Sequence, residues 1–236
     1  MRLAAGVLLA SGIALCAQTN SIDDRYREAA SRLVKAAMTD RNGYDSLAYL
    51  CDRIGNRLSG SDALNRAIDW SARQMKAAGL TNVQKIPTKV PHWVRGQESG
   101  EILGPIPRTL HMLGLGMSIG TPPDGITADA IVVSNFDELE AAGAKVKGKI
   151  VVFNAPYEGY GKTVVYRAFG ASRAAKLGAI GVLVRSITPL AMQQPHTGAM
   201  VYDKEAPKIP AAAISIEDAL LLERIQRSGD TPRVHF

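Results

Sequence analysis

The stretch from residue 126 to residue 214 constrains the fold most, because short apolar β-rich runs alternate with helical segments along it. Strands are predicted at residues 130–133, 149–153, 180–184 and 211–214, and helices at 137–142, 164–177 and 217–226. Three of these strands are almost continuously apolar, which indicates that both of their faces are covered. This part of the chain is therefore predicted to be α/β or α+β.

Glycines mark the points where this stretch changes from helix or turn to strand. In AAKLGAIGVLV a helix ends at Gly178, so that the chain turns directly into the next strand. In VKGKIVVF a glycine turn leads into a buried strand. This arrangement is typical of a layered α/β unit.

Residues 22–90 are mainly helical by pattern. Helices are predicted at 22–38, 46–54 and 62–78, with Gly79 ending the third. A strand is predicted over 82–90, where Pro87 favours an edge position. Cys51 falls on the apolar side of the second helix, which predicts a buried and inert thiol.

Composition places the chain among ordinary globular proteins. Its 236 residues, 46% hydrophobic and 21% charged, can form one or two domains with real cores. The 28 lysines and arginines exceed the 22 aspartates and glutamates, but they are scattered, and only 6% of residues are aromatic. This pattern argues against nucleic-acid binding.

The amino terminus has the features of an export signal. Arg2 supplies a short positive region, residues 3–15 supply an apolar run, and Ala14 and Ala17 are small residues suited to cleavage. We therefore expect residues 1–17 to be a signal peptide and the mature protein to be secreted or periplasmic. The apolar run is shorter than the roughly 20 residues of a membrane-spanning helix, which argues against a permanent membrane anchor.

Several words of the sequence, in this order, resemble one enzyme family: IGNRLSGS, VPHWVRGQE, GITADAIVV, VKGKIVVFN, GASRAAKLGAIGVLVRSITP and PHTG. Together they resemble the N-terminal half of carboxypeptidase Q-like enzymes, in the zinc-dependent aminopeptidase and glutamate carboxypeptidase family. The resemblance implies a protease-associated (PA) domain over 93–236. Residues 18–92 would be the helical N-terminal part of a zinc-exopeptidase domain that is incomplete in this chain.

The resemblance also implies a chemistry. The complete enzyme is expected to bind two zinc ions through histidine, aspartate and glutamate, to hydrolyse short peptides and to form a homodimer, with the PA domain as a lid that positions substrate. The four histidines of this chain lie in no HxD or HExxH pattern. We therefore expect no catalytic residue, no metal ligand and no bound cofactor in this chain alone.

Four residues are candidates for lining a substrate cleft. Arg185 and Ser186 follow a buried strand at its carboxyl end, where α/β sheets commonly present ligand-binding groups. His196 and Thr197 lie in the loop PHTG, bounded by proline and glycine, where polar residues often face a ligand. A solvated surface position is the alternative for each.

A serine nucleophile is not supported, since neither Ser59 nor Ser172 lies in a GxSxG turn. Two classes of function remain open. The chain is either the N-terminal and PA-domain portion of a secreted exopeptidase, or a free-standing PA-type module that binds peptides or a protein. The coding sequence beyond Phe236 would distinguish them.

Overall fold

The computed structural model describes residues 22–236, which separate into two compact units. The first contains the chain up to Arg57 together with Asp62–Lys85, and the second contains Leu58–Ser61 and Ile86–Phe236. None of the described helices is long and apolar enough to cross a membrane. The predicted signal peptide, residues 1–17, lies outside the described residues.

The first unit is helical. It contains α1 (Ile22–Thr39), α2 (Asn42–Tyr49), a π-helical turn (Leu50–Ile54) and α3 (Asp62–Ala77). Gly79 ends the third helix as predicted: at φ +81° it lets its own N–H reach the Lys76 carbonyl and the Leu80 N–H reach the Met75 carbonyl. The three predicted helices are therefore present, although the second begins earlier and closes in a π turn.

Two predictions for this region are wrong. Cys51 is exposed rather than buried, because it lies in the π turn, and neither that turn nor α2 buries any residue. No strand forms over residues 82–90. The β-branched residues there favour an extended backbone, but no described strand lies alongside to pair with it, and Pro87 has no N–H to donate.

The second unit is built on one eight-stranded sheet, in the order β2-β1-β8-β4-β5-β6-β7-β3. Its strands are β1 (Glu101–Ile102), β2 (Arg108–Thr109), β3 (Met112–Gly114), β4 (Thr127–Val133), β5 (Ile150–Phe153), β6 (Gly181–Arg185), β7 (Ala211–Ile214) and β8 (Arg233–His235). Strands β4 to β7 are parallel, and the others pair antiparallel. The predicted mixed α/β class is confirmed.

Helices cover both faces of this sheet. They are α4 (Phe136–Ala142), followed by a 3₁₀ turn (Gly143–Val146), α5 (Tyr160–Lys176) and α6 (Ile216–Arg227). In β5, Val151 and Phe153 pack in the cluster that contains α4 and α5, whereas Ile150 and Val152 pack in the cluster that contains α6. Burial on both faces explains the continuous apolar runs.

Side chains complete the backbone hydrogen bonding where strands end. Strand β8 pairs with β4 only as far as Asp129, and the carboxamide of Gln226 takes over at Val132. Its Oε1 accepts from the Val132 N–H at 2.7 Å, and its Nε2 donates to the Val132 carbonyl at 2.9 Å. Gln226 thus continues, beyond the end of β8, the hydrogen bonding along that side of β4.

Candidate functional site

The carboxyl ends of the four parallel strands meet at one edge of the sheet, called here the carboxyl edge. Polar residues follow all four strands: Ser134, Asn154, Ser186 and Ser215. One of them is occupied as a helix cap, since Ser215 Oγ accepts from the Asp218 N–H at 3.0 Å. The sequence-predicted candidates lie at the end of β6, where Arg185 and Ser186 are found, and in the loop beyond it, which contains His196 and Thr197.

Arg185 belongs to a polar network on the α6 side of this edge. Its Nη1 donates to Asn154 Oδ1 at 3.1 Å, and Asn154 Nδ2 donates to Glu223 Oε2 at 3.1 Å. Burial lowers the pKa of the Arg185 guanidinium, while the Glu223 charge acts in the opposite direction. Arg185 therefore joins β5, β6 and α6 rather than extending into solvent.

Ser186 is buried and fastens the loop that follows it, residues 186–201. Its Oγ donates to the Ile214 carbonyl at 2.7 Å and accepts from the His196 N–H at 2.7 Å. The contact with His196 is made by the main chain and not by the imidazole. Ser186 and His196 are thus not arranged as a nucleophile and its base.

His196 and Thr197 hold the far side of the same loop. The His196 Nδ1 lies 2.7 Å from the Ile187 carbonyl oxygen, which can only accept, so Nδ1 donates this hydrogen bond. Thr197 Oγ1 donates to the Gly114 carbonyl at 2.9 Å. The structure thus brings Ser186, His196 and Thr197 together in one fastened loop, and places Arg185 beside it.

Sequence reasoning missed Asn154, Glu223 and a pair of residues on α5. Arg167 is buried, and its Nη2 donates to Tyr160 Oη at 2.6 Å. The ring of Tyr160 lies 6.1 Å from that of His196, which brings α5 to the 186–201 loop. The separation of seven residues puts Tyr160 and Arg167 on one helix face, but nothing local in the sequence indicates that the arginine is buried.

Two depressions lie in this unit. A cavity of about 290 Å³ opens at the ends of β4 and β5, lined by Ser134, Asn135, Ala155, Pro156, Glu158, Lys162, Thr163 and Tyr166. A groove of about 430 Å³ runs beside residues 93–99 and includes Met112, Ile119, His235 and Phe236. In the groove, Trp93 Nε1 donates to the Ser118 carbonyl at 2.9 Å, so its polar group is already satisfied.

The described residues do not fit a dinuclear zinc site. Within residues 22–236, no group of three or more histidine, cysteine, aspartate or glutamate side chains is arranged to hold a metal ion. Two of the histidines have other partners: His111 contacts Asp218 through its ring and main chain, and His235 Nδ1 lies 2.7 Å from Thr127 Oγ1.

Comparison with protein families gives a match to the PA domain over residues 116–222, which include the carboxyl edge and the 186–201 loop. Carboxypeptidase Q of Xenopus laevis is 45% identical over 207 residues, which cover 86% of this chain and 44% of that protein. The Bos taurus protein of the same name is 49% identical over 187 residues, covering 79% and 40%. The chain spans less than half the length of these relatives.

Comparison with solved structures also finds peptidases. The peptidase M28 precursor from Shewanella amazonensis is 34% identical and superposes with a TM-score of 0.85, covering 90% of this chain and 50% of that one. The zinc aminopeptidase from Bacillus subtilis is 20% identical with a TM-score of 0.52, covering 83% and 42%, and shares the fold. The likeness to the Shewanella protein thus extends over nearly the whole chain.

Proposed function

We propose that this chain, which belongs to the carboxypeptidase Q-like peptidases of the M28 family, is the substrate-positioning portion of a secreted zinc-dependent exopeptidase that acts on short peptides. One observation carries the proposal. A PA domain with a fastened polar loop occurs in a chain whose described residues offer no group able to hold a metal ion.

We assign a different role to each of three successive segments of the chain. Residues 1–17 direct export, residues 18–92 supply the helical N-terminal part of the peptidase domain, and residues 93–236 form the PA domain. The two zinc ions and the general base belong to the complete enzyme and not to residues 22–236. This chain alone therefore has no peptidase activity.

The PA domain acts as a lid over the cleft of the complete enzyme. Closure over a cleft excludes water and holds the scissile bond in a reactive orientation. The 186–201 loop supports this role because buried hydrogen bonds from Ser186 and a bond from Thr197 fix its two ends. A loop held in this way can orient a peptide without first having to become ordered.

The absence of activity is tested with the purified chain. Incubation with zinc and a panel of dipeptides is expected to release no amino acid above the buffer control. A full-length carboxypeptidase Q relative, assayed in parallel, should release amino acids and lose that activity with a chelator. Chelator-sensitive turnover by this chain at an ordinary enzymatic rate, on the order of 1 s⁻¹ or more, would contradict the proposal.

The lid role is tested in a hybrid, in which this chain replaces the matching portion of a full-length carboxypeptidase Q relative. Shortening the loop between Thr188 and Gln194 in the hybrid should raise KM for dipeptides and admit longer peptides. The matched control is a deletion of equal length in the exposed turn around Asp230. Identical kcat and KM for all peptides in both hybrids would exclude a lid role for the loop.

A further inference from the structure

Arg167 is a buried cation whose hydrogen-bonding capacity is largely unused. The residue is 6% exposed. Its Nε and Nη1 are buried and have no hydrogen-bond partner among the described residues. Its Nη2 donates to the Tyr160 hydroxyl. Among residues 22–236, no carboxylate lies within ion-pair distance of it.

The backbone of the 186–201 loop is shaped around this guanidinium. A Cβ at position 198 would lie 2.6 Å from Arg167 Cζ and 2.8 Å from Nη1, so any other residue there would force the guanidinium to shift. Gly198 is itself fixed, because its carbonyl accepts from the Gly116 N–H at 2.9 Å. The loop thus closes over a charged group that it does not neutralise.

An arrangement of this kind is unfavourable for folding alone. Burying a charge without a partner costs more than burying a hydrogen-bonded or paired one, and an apolar side chain of similar volume avoids that cost. Groups held in this state are found where they await a ligand. The chemistry of the guanidinium selects an anionic ligand, and its flat fork fits a carboxylate.

We propose that Arg167 binds the carboxylate of a short peptide, which replaces the Tyr160 hydroxyl on the guanidinium. The Nε–H points along the same edge of the guanidinium as Nη2, so a carboxylate there can accept two hydrogen bonds where the single hydroxyl now accepts one. The Tyr160 hydroxyl is a neutral acceptor, whereas a carboxylate brings the opposite charge and accepts two parallel bonds, which favours the exchange.

Tyr160 is the group that must move, and its position suits that role. It is the first residue of α5, lies between Gly159 and Gly161, and is 47% exposed. Rotation of its side chain away from Arg167 frees Nη2 of the guanidinium from its present partner.

The peptide origin of the carboxylate rests on the proposed function, whereas the carboxylate site does not. The test is a titration of the full chain, followed through the ¹⁵N-resolved Nε–H signals of its arginines. The dipeptide Ala-Ala and acetate are expected to shift the Arg167 signal with saturation, and Ala-Ala amide is not. An unmoved Arg167 signal with both carboxylates, or equal shifts with the amide, would overturn the proposal.

Variants separate this site from general attraction to a basic protein. Arg167→Met should weaken Ala-Ala binding, measured by calorimetry, about tenfold or more. Lys162→Met removes one charge from the exposed face of the same helix and should leave the affinity unchanged. Tyr160→Phe removes the competing acceptor and should bind at least as tightly as the wild type. Equal weakening in Arg167→Met and Lys162→Met would contradict a defined site.

The outcomes also distinguish the carboxylate site at Arg167 from the proposed peptidase function. Should Arg167→Met fail to fold, the wild-type titration alone decides, because it needs no variant. Acetate and Ala-Ala binding equally well would support the carboxylate site while counting against recognition of the rest of a peptide. A catalytically inactive hybrid would count against the proposed function and leave the titration result standing.

Discussion

Asn154 is the residue on which the polar contacts of the carboxyl edge converge. It is 4% exposed, and its Oδ1 accepts a hydrogen bond from Arg185 while its Nδ2 donates one to Glu223. These bonds link positions 31 and 69 residues apart in sequence. A side chain that bonds to two partly buried charged neighbours contributes mainly by preventing the bonded atoms from being left unpaired.

Replacing Asn154 with alanine should therefore lower the free energy of unfolding by about 1–3 kcal/mol, since the Arg185 and Glu223 groups lose their buried partner. Urea unfolding followed by circular dichroism measures this change. Glu223→Gln keeps an oxygen that can accept from Asn154 and should lose clearly less. A smaller loss in Asn154→Ala than in Glu223→Gln would show that the network does not centre on Asn154.

Ser186→Ala should destabilise the 186–201 loop. The substitution leaves the His196 N–H and the Ile214 carbonyl without the hydroxyl that joins them, at a cost of about 1–3 kcal/mol. Hydrogen exchange should show the His196 amide exchanging faster than in the wild type. Thr188→Ala, a half-exposed hydroxyl of the same loop, is the control and should change neither quantity appreciably.

The surface pair of Lys176 and Asp203 gives a pH prediction. The hydrogen bond that Lys176 donates to Asp203, followed by the one from the Glu205 main chain, lowers the pKa of Asp203 below its usual 3.8. The Lys176–Asp203 hydrogen bond also raises the pKa of Lys176 above its usual 10.5. The pair therefore stabilises the fold between these values. Its contribution disappears as pH falls through the lowered pKa of Asp203 or rises through the raised pKa of Lys176.

Asp203→Asn should accordingly reduce the urea midpoint slightly at pH 7, with a difference from wild type that shrinks below pH 3.8. Added salt should shrink it as well, since both groups are exposed. A difference that is independent of pH would mean that Asp203 acts through its turn hydrogen bond to Glu205 alone.

At the scale of elements, β5 with the helix packed over it is the centre of the second unit. Phe153 is fully buried, and its ring centroid lies 5.5 Å from that of Phe136 and 5.7 Å from that of Tyr166. The backbone of α5 approaches so closely at Gly170 that an added Cβ would lie 2.7 Å from the Phe153 ring. Strand, helix and ring are thus fitted to one another.

Phe153→Ala should destabilise the second unit by about 3–5 kcal/mol, because it removes a fully buried ring from a close-packed layer. Thermal or urea unfolding measures the loss. Phe169→Ala, on the helix α5 that packs over β5, should cost far less because Phe169 is 50% exposed. Similar losses in the two variants would mean that the Phe153 site collapses around the cavity.

The elements that could be predicted are those with a local cause. Strands β5 and β7, and β6 up to Arg185, are apolar because both faces are covered, and Gly178 ends α5 where the pattern indicated. Strands β1 to β3 are only two or three residues long, too short to show a period. The missed strand pairings and the wrong strand at 82–90 both depend on which segments meet in space.

The same distinction applies to the candidate site. Arg185 and Ser186 could be identified because they follow a strand end, a feature visible in the sequence. Their partners could not, since Asn154, Ile214 and Glu223 are brought to them by the sheet and by α6. The burial of Arg167 depends on Gly198, which lies 31 positions along the chain and across the loop. Whether the predicted residues contact substrate stays a prediction.

At the scale of the whole molecule, the two units differ in how much they bury. In the helical unit, Ala67 is the buried residue that α3 contributes, and α2 contributes none. On α1, Leu33, Val34 and Met38 are more than half exposed. The second unit contains two clusters of fully buried side chains, one on each face of its sheet.

Residues 22–85 should therefore exchange their amide hydrogens much faster than the sheet of the second unit, because the free energy of local opening depends on buried apolar contacts. Hydrogen exchange read by mass spectrometry, with peptides from α1, α3, β5 and β6, measures the difference. Uniformly slow exchange in all four would contradict the prediction that low burial leaves these helices weakly protected.

The carboxamide of Gln226 closes the one stretch of β4 that β8 leaves open. A row of free N–H and C=O groups beside a sheet invites an extended segment of another molecule to add to it, which is a common beginning of protein aggregation. Because both groups of Val132 are already engaged, the sheet offers no template there. A single side chain, Gln226, thus removes one site of strand addition from this sheet.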